Sequence, residues 1–182
     1  FEARERELQN GPFVILNQVL RLSLATGLAA AGQKIADPES VAADEDFIIE
    51  SVRAAKPFPD VAPALRDLKR DHRLAILSNS EPDIIIHAIA RIGVAVDAVV
   101  LASEAECYKP APGMFHELLK RIDEDPGNVT HVAQGFYHDI RPTKALGFGR
   151  RIWINRFGRD GEAGYEPDEE LMDLEGLRGA LA

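Results

Sequence analysis

Polar residues stand at three places, about thirty positions apart, where strand-like apolar segments give way to helix signals. The first apolar segment, Leu74–Leu77, ends at Ser78 and Asn79. Lys109 comes 31 residues after Ser78, and Asp139 comes 30 residues after Lys109. Each interval fits one strand plus a crossover helix of a parallel sheet, which takes roughly 30 residues. The spacing predicts that these four side chains meet at one sheet edge, where open α/β sheets bind ligands.

Helix and strand patterns alternate along residues 57–182. The predicted helices are Val61–Arg70, a segment from Pro82 to Ile92, Pro112–Ile122 and Ile140–Leu146. The predicted strands are Leu74–Leu77, Ala98–Leu101, Val129–Ala133 and Arg151–Asn155, and the acidic stretch 160–170 is predicted to be a loop. Such alternation is typical of an α/β fold with a parallel sheet covered on both faces.

Residues 1–56 show no strand pattern and predict a separate helical subdomain. Apolar residues recur at helical spacing between Phe13 and Leu28, and a proline-rich linker, Lys56–Asp60, follows the subdomain. Phe1 is not an initiator methionine, and the first residues have the composition of the middle of a helix. We therefore expect the natural protein to extend upstream of Phe1.

Composition excludes several classes of function. The net charge is -9 and there is no run of Lys or Arg, which argues against nucleic acid or an anionic membrane as a partner. No segment approaches the roughly 20 apolar residues of a membrane span. The single cysteine, Cys107, cannot form an intrachain disulfide and suits a reducing compartment. We predict a cytoplasmic protein.

The four residues at the predicted edge each have a chemical role and a simpler alternative. The Ser78 hydroxyl and the Asn79 amide could hold an anionic oxygen, but both residue types are also good helix caps. Lys109 could neutralise a phosphate or carboxylate, although most loop lysines are merely solvated. The Asp139 carboxylate could orient Lys109 or bind a cation, and the alternative is a helix N-cap.

The remaining reactive or aromatic side chains give weaker signals. Cys107 has no partner base nearby in sequence and is predicted to be a small buried side chain. His138 is expected to face solvent, and Trp153 and Phe157 are expected to pack in the core. The other histidines show no spacing typical of a metal site; they are His72, His87, His116 and His131.

Three segments together resemble the haloacid dehalogenase superfamily, and most closely its type II 2-haloacid dehalogenase branch. They are residues 77–79, residues 108–115 from Tyr-Lys-Pro to Phe115, and residues 131–147, which are followed by Ile-Trp-Ile-Asn-Arg at 152–156. The linker at 57–65 is also similar. Each segment is short, but their order and spacing make the resemblance specific, and it covers nearly the whole chain.

The resemblance implies a Rossmann-like core with a helical cap inserted after the first strand. An Asp at the end of that strand would form a covalent ester with the substrate, and water would hydrolyse the ester. By motif match, Ser78 and Asn79 would bind the carboxylate or phosphate of a small substrate. Lys109 would stabilise the nucleophile, and Asp139 would position Lys109 or activate water. Members of this branch are often homodimers and need no cofactor.

The chain departs from the resembled pattern at three places. It contains no Asp-x-x-x-Thr strand, so we expect that strand and the nucleophile upstream of Phe1. Gly135 stands where phosphatases of the superfamily carry a second acid, so Mg²⁺ is expected only if the protein is a phosphatase. Phe115 and Phe136 stand where dehalogenases have Tyr and Asn.

Three functions remain open from the sequence. They are a metal-free hydrolase of small organic acids such as 2-haloacids, which we favour; a Mg²⁺-dependent small-molecule phosphatase; and a binding protein that has lost its chemistry. Residues 1–182 alone are expected to be inactive, since supporting groups cannot replace a nucleophile.

Overall fold

A computed structural model describes residues 2–32 and 38–181, without the side chains of residues 2 and 38–45. The helices are α1 (Glu2–Gln9), α2 (Leu16–Ala30), α3 (Pro38–Ala54), α4 (Val61–Leu68), α5 (Pro82–Ile92), α6 (Ala102–Ala105), α7 (Pro112–Ile122), α8 (Arg141–Ala145) and α9 (Leu177–Ala180). The strands are β1 (Ala75–Ser78), β2 (Ala98–Leu101), β3 (Thr130–Ala133), β4 (Arg150–Ile154) and β5 (Glu169–Leu171). A 3₁₀ turn spans Pro126–Asn128, and a π-helix spans Phe136–Ile140.

All strand pairings in the described residues are parallel. Strand β1 pairs with β2, with Ser78 opposite Leu101. Strand β4 lies between β3 and β5, and its Trp153 is opposite Ala133. The crossover segments between these strands contain helices, as parallel connections require. The predicted α/β fold with a parallel sheet is confirmed.

A cleft separates the two groups of strands. Within the described residues, β1 has β2 as its only strand partner and β3 has only β4, so each strand keeps one free edge. A cavity of about 900 Å³ is lined by Ala75–Leu77 of β1 and by Thr130–Ala133 of β3. Apolar side chains also line it, among them Leu118 and Ile154. We refer to this space between β1 and β3 as the strand cleft.

The N-terminal helices dock beside the loops that follow β1 and α6. Val19 of α2 is fully buried in one core cluster with Phe115 of α7. The Tyr108 hydroxyl donates a hydrogen bond to the Val14 carbonyl at 2.7 Å, and the backbone N–H of Leu16 donates to Glu81 Oε1 at 2.7 Å. The helical character of residues 1–56 agrees with the sequence, and their status as a separate subdomain stays a prediction.

Two sequence predictions about the C-terminal part were wrong. The predicted loop 160–170 contains the start of β5, because pairing with β4 makes a strand of Glu169–Leu171, which has no strand pattern of its own. Phe157 is 61% exposed and is not a core residue, whereas Trp153 is buried as predicted.

In the part of the chain that is described, none of the helices combines the length and the apolar character needed to cross a membrane.

Candidate active site

Lys109 and Asp139 form a buried ion pair beside the strand cleft. Lys109 Nζ lies 2.7 Å from Asp139 Oδ1 and donates a second hydrogen bond to the Leu77 carbonyl at 3.0 Å. The two charged side chains are only 13% and 7% exposed, and both residues line the cleft. The structure thus brings together the lysine and the aspartate that the thirty-residue spacing placed at one edge.

The π-helix after β3 directs the Asp139 side chain toward Lys109. It begins after Gly135, whose carbonyl accepts the backbone N–H of Asp139 at 3.1 Å. The Thr143 hydroxyl donates to the Asp139 carbonyl at 2.6 Å, which fixes the backbone from the other side. The carboxylate does not cap a helix in this arrangement. The N-cap alternative therefore does not describe Asp139.

His131 also contacts Asp139, although its position in the sequence gave no indication of this role. Its Nε2 atom lies 2.9 Å from Asp139 Oδ1, the same oxygen that Lys109 contacts. His131 lies within β3, and its ring is almost fully buried. Its burial is known only from the structure, and a buried polar group needs a partner of this kind.

Asp139 is held in its charged form. Burial alone would raise its pKa, but the Lys109 ammonium and the His131 hydrogen bond favour the carboxylate more strongly. The pKa of Asp139 is therefore below its ordinary value. At neutral pH the site contains a carboxylate paired with an ammonium group, next to the carboxyl end of β1.

Asn79 holds the backbone of Lys109. Its Oδ1 accepts the Lys109 N–H at 2.8 Å, and its Nδ2 donates to the Lys109 carbonyl at 3.2 Å. Both polar atoms of the amide are therefore engaged with the loop that carries the lysine. The predicted contact between Asn79 and a substrate stays a prediction, and the geometry adds a positioning role.

Ser78 ends β1 with its hydroxyl oxygen accepting the N–H of Ser80 at 3.1 Å. In that hydrogen bond Ser78 is the acceptor, so its own O–H can donate to an anionic oxygen. The predicted contact with a substrate carboxylate or phosphate is compatible with this geometry and stays a prediction.

The π-helix that carries Asp139 also contains Tyr137 and His138. His138 is partly buried, contrary to the expectation of a solvent-facing ring, and this burial is the main cause that lowers its pKa. The Arg6 guanidinium of α1 lies 5.1 Å from the centre of the Tyr137 ring. A cation from α1 therefore lies beside the π-helix that carries Asp139, which the sequence did not indicate.

Cys107, near Lys109 in sequence, shows no sign of an activated nucleophile. The sequence predicted a buried side chain, but Cys107 is only partly buried. This partial burial raises the pKa of its thiol. A raised pKa keeps the thiol protonated, and the thiolate is the nucleophilic form.

The described residues offer a poor site for Mg²⁺. They contain no group of three or more His, Cys, Asp or Glu side chains that could hold a metal ion. Asp139 Oδ1 already contacts Lys109 and His131, and Gly135 supplies no carboxylate. Mg²⁺ prefers an octahedron of oxygen ligands that includes one or two carboxylates. These residues do not fit that requirement.

Gly135 leaves the space that Asp139 occupies. A Cβ atom at this position would lie 2.4 Å from Asp139 Oδ2, although the backbone (φ -76°, ψ 106°) would accept alanine. We expect Gly135→Ala to lower the free energy of unfolding by about 1–3 kcal/mol through overpacking.

Urea unfolding measures the change in stability of the Gly135→Ala variant. Gly127→Ala is the matched control, because a Cβ there meets nothing within 4 Å. Equal stability of the two variants would contradict the steric argument.

Comparisons with known proteins give a consistent family. The model of the haloacid dehalogenase-like hydrolases matches residues 8–147. The mouse N-acylneuraminate-9-phosphatase is 27% identical over 128 residues, which are 68% of this chain and 52% of that protein. The (S)-2-haloacid dehalogenase 4A of Burkholderia cepacia is 25% identical over 126 residues, which are 68% of this chain and 54% of that protein.

The fold is that of a solved haloacid dehalogenase. The L-2-haloacid dehalogenase of Xanthobacter autotrophicus superposes with a TM-score of 0.82 at 21% identity, over 99% of this chain and 81% of that one. The chain spans about half the length of the two curated relatives described above. The family match covers most of the chain. The parallel α/β core and the sequence segments that resemble this superfamily agree with that match. The chain belongs to the haloacid dehalogenase-like hydrolases.

Proposed function

We propose that the protein acts as a metal-independent hydrolase of small 2-haloacids, with an Asp nucleophile supplied from upstream of Phe1. The observation that carries this proposal is the buried Lys109–Asp139 pair, whose ammonium lies at the carboxyl end of β1 and lines the strand cleft. Such a pair places a fixed positive charge where a nucleophilic carboxylate and an anionic substrate would meet.

The strand cleft supports the proposed position of the nucleophile. An extended segment lying between β1 and β3 would find one free strand edge on each side. If it ran parallel to its neighbours, its carboxyl end would lie at the same edge as Ser78 and Asp139. An Asp just after this segment would then be next to Lys109.

The proposed reaction has two displacement steps. The Asp carboxylate attacks C2 of the haloacid, a carbon–oxygen bond forms, and the carbon–halogen bond breaks with its electron pair leaving as halide. Water then attacks the ester carbonyl, and the bond between the carbonyl carbon and the ester oxygen breaks. One proton of the water passes to the departing oxygen, which releases the 2-hydroxyacid, and the second proton is lost to solvent as the Asp carboxylate re-forms. The Lys109 ammonium holds the nucleophilic carboxylate in place before the first step and stabilises the oxyanion of the tetrahedral intermediate in the second. Asp139 keeps that ammonium in place.

A phosphatase of the same family is the second candidate. The similarity to the mouse N-acylneuraminate-9-phosphatase favours it. The missing carboxylate at Gly135 and the commitment of Asp139 Oδ1 to two donors count against it. Because the haloacid and phosphate reactions differ in metal requirement, one set of assays separates them.

The test uses the full natural chain. We expect release of chloride from 2-chloropropionate that is unchanged by EDTA, and no hydrolysis of p-nitrophenyl phosphate. Magnesium-dependent release of phosphate that EDTA abolishes would support the phosphatase instead. Folded protein that turns over neither substrate class but binds a small organic acid would indicate the non-catalytic binding protein.

A homodimer and a cytoplasmic location stay predictions. The helices α2 and α3 carry exposed apolar side chains, namely Leu22, Phe47 and Val52. A surface of this kind is compatible with self-association. Analytical ultracentrifugation of the full chain would decide the oligomeric state.

A further inference from the structure

The buried ring of His131 makes a contact that the spacing of the family motifs does not explain. Its Nε2 lies 2.9 Å from Asp139 Oδ1, and Lys109 Nζ lies 2.7 Å from the same oxygen. Because Asp139 is a carboxylate here, it can only accept, so Nε2 must carry the hydrogen. One oxygen of Asp139 therefore receives two donors, one from β3 and one from the loop after α6.

Two phenyl rings fix the orientation of the His131 imidazole. Phe115 and Phe148 each contact it edge-on, with ring centroids 5.9 Å away, and they contact each other at the same distance. An apolar side chain would suit such surroundings better, since burial of an imidazole is unfavourable unless it is hydrogen-bonded. The hydrogen bond to Asp139 satisfies that need and explains why a histidine occupies this apolar position.

We propose that His131 is a positioning residue that holds the Asp139 carboxylate in one orientation, so that Asp139 in turn holds the Lys109 ammonium at the carboxyl end of β1. The inference rests on the proposed function for its effect on catalysis. Its structural part, the hydrogen bond from His131 to Asp139, can be tested without any substrate.

The first experiment is a two-bond ¹H–¹⁵N correlation spectrum of the histidine rings in the full natural chain at neutral pH. Residues 1–182 contain five histidines, and the signal that is lost in His131→Leu assigns the ring. We expect the signal of a ring protonated at Nε2. The pattern should change in Asp139→Leu, which removes the acceptor. A His131 ring protonated at Nδ1 alone would overturn the proposal.

The second experiment compares kcat and KM of two variants at this position. His131→Leu removes the donor, and we expect kcat to fall by about 10–100-fold with KM nearly unchanged. His131→Gln can place an amide N–H near the position of Nε2 and should recover most of kcat. His116→Gln, an exposed site on α7, is the control and should match the wild type.

The outcomes separate the two proposals. Folded His131→Leu with wild-type kcat, or with a change in KM alone, would overturn the positioning role. A loss of kcat that His131→Gln does not recover would show that the ring only fills space. If the wild type turns over neither haloacid nor phosphate ester, the proposed function fails, and the ring spectrum alone decides whether His131 orients Asp139.

Discussion

Replacement of Lys109 by methionine is expected to lower the free energy of unfolding by about 3–5 kcal/mol. The variant removes the ammonium but leaves the Asp139 carboxylate buried, with only 7% of its side chain exposed. His131 would remain as a donor, yet a single neighbour does not compensate a buried charge. Urea unfolding of the full natural chain, followed by tryptophan fluorescence, to which the buried Trp153 contributes, measures the change.

Two controls decide whether the effect comes from the buried pair. Lys144→Met removes a lysine from an exposed pair with Glu166 at 3.5 Å and should cost about 1 kcal/mol or less. The double variant Lys109→Met with Asp139→Leu should be more stable than Lys109→Met alone, because no uncompensated charge remains. A double variant less stable than either single variant would contradict this explanation.

The contribution of the pair also has a predicted dependence on pH. The pKa of Asp139 in the folded protein is below its ordinary value of 3.8, because Lys109 and His131 outweigh its burial. Its stabilising effect is therefore complete above about pH 4 and declines as the pH falls through the lower pKa of the folded state. The stability difference between wild type and Lys109→Met should shrink in that acidic range.

Local sequence signals were sufficient for most helices and strands of residues 57–182. Helix α7 spans Pro112–Ile122 as predicted, since proline favours its first turn and apolar residues recur at helical spacing. Strand β2 spans Ala98–Leu101 as predicted. Strand β5 was missed because Glu169–Leu171 becomes a strand only through its pairing with β4. A tertiary pairing of this kind leaves no periodic pattern in three residues.

The candidate site was predictable to the level of strands but not of individual contacts. The thirty-residue spacing predicted that Lys109 and Asp139 would meet, since parallel strands end at the same sheet edge. It could not show that both polar atoms of Asn79 hold the Lys109 backbone. The contact of His131 with Asp139 was missed because it depends on how the π-helix turns Asp139 back toward β3.

Residues 1–182 alone are expected to release no halide, whereas a chain extended upstream by an apolar strand ending in Asp should be active. The reason is that Lys109, Asp139 and Ser78 can stabilise charge, but none of them is placed to form the ester. The rate of halide release should be more than about 1,000-fold higher in the extended chain, because removing a catalytic nucleophile lowers the rate of an enzyme by at least that factor. Chloride release from 2-chloropropionate by the two purified chains measures it.

The extended chain should also differ in structure, which keeps this prediction independent of the substrate. A strand inserted between β1 and β3 would pair with both free edges, so the amide protons of β1 and β3 that face the strand cleft should exchange more slowly with solvent. The variant that carries Asn in place of the new Asp is the matched control, since it should show the same protection without halide release. If the chain extended with Asp shows this slower amide exchange but releases no halide, the strand cleft still holds the first strand, but dehalogenation is refuted. Activity of residues 1–182 alone, equal to that of the extended chain, would refute the upstream nucleophile.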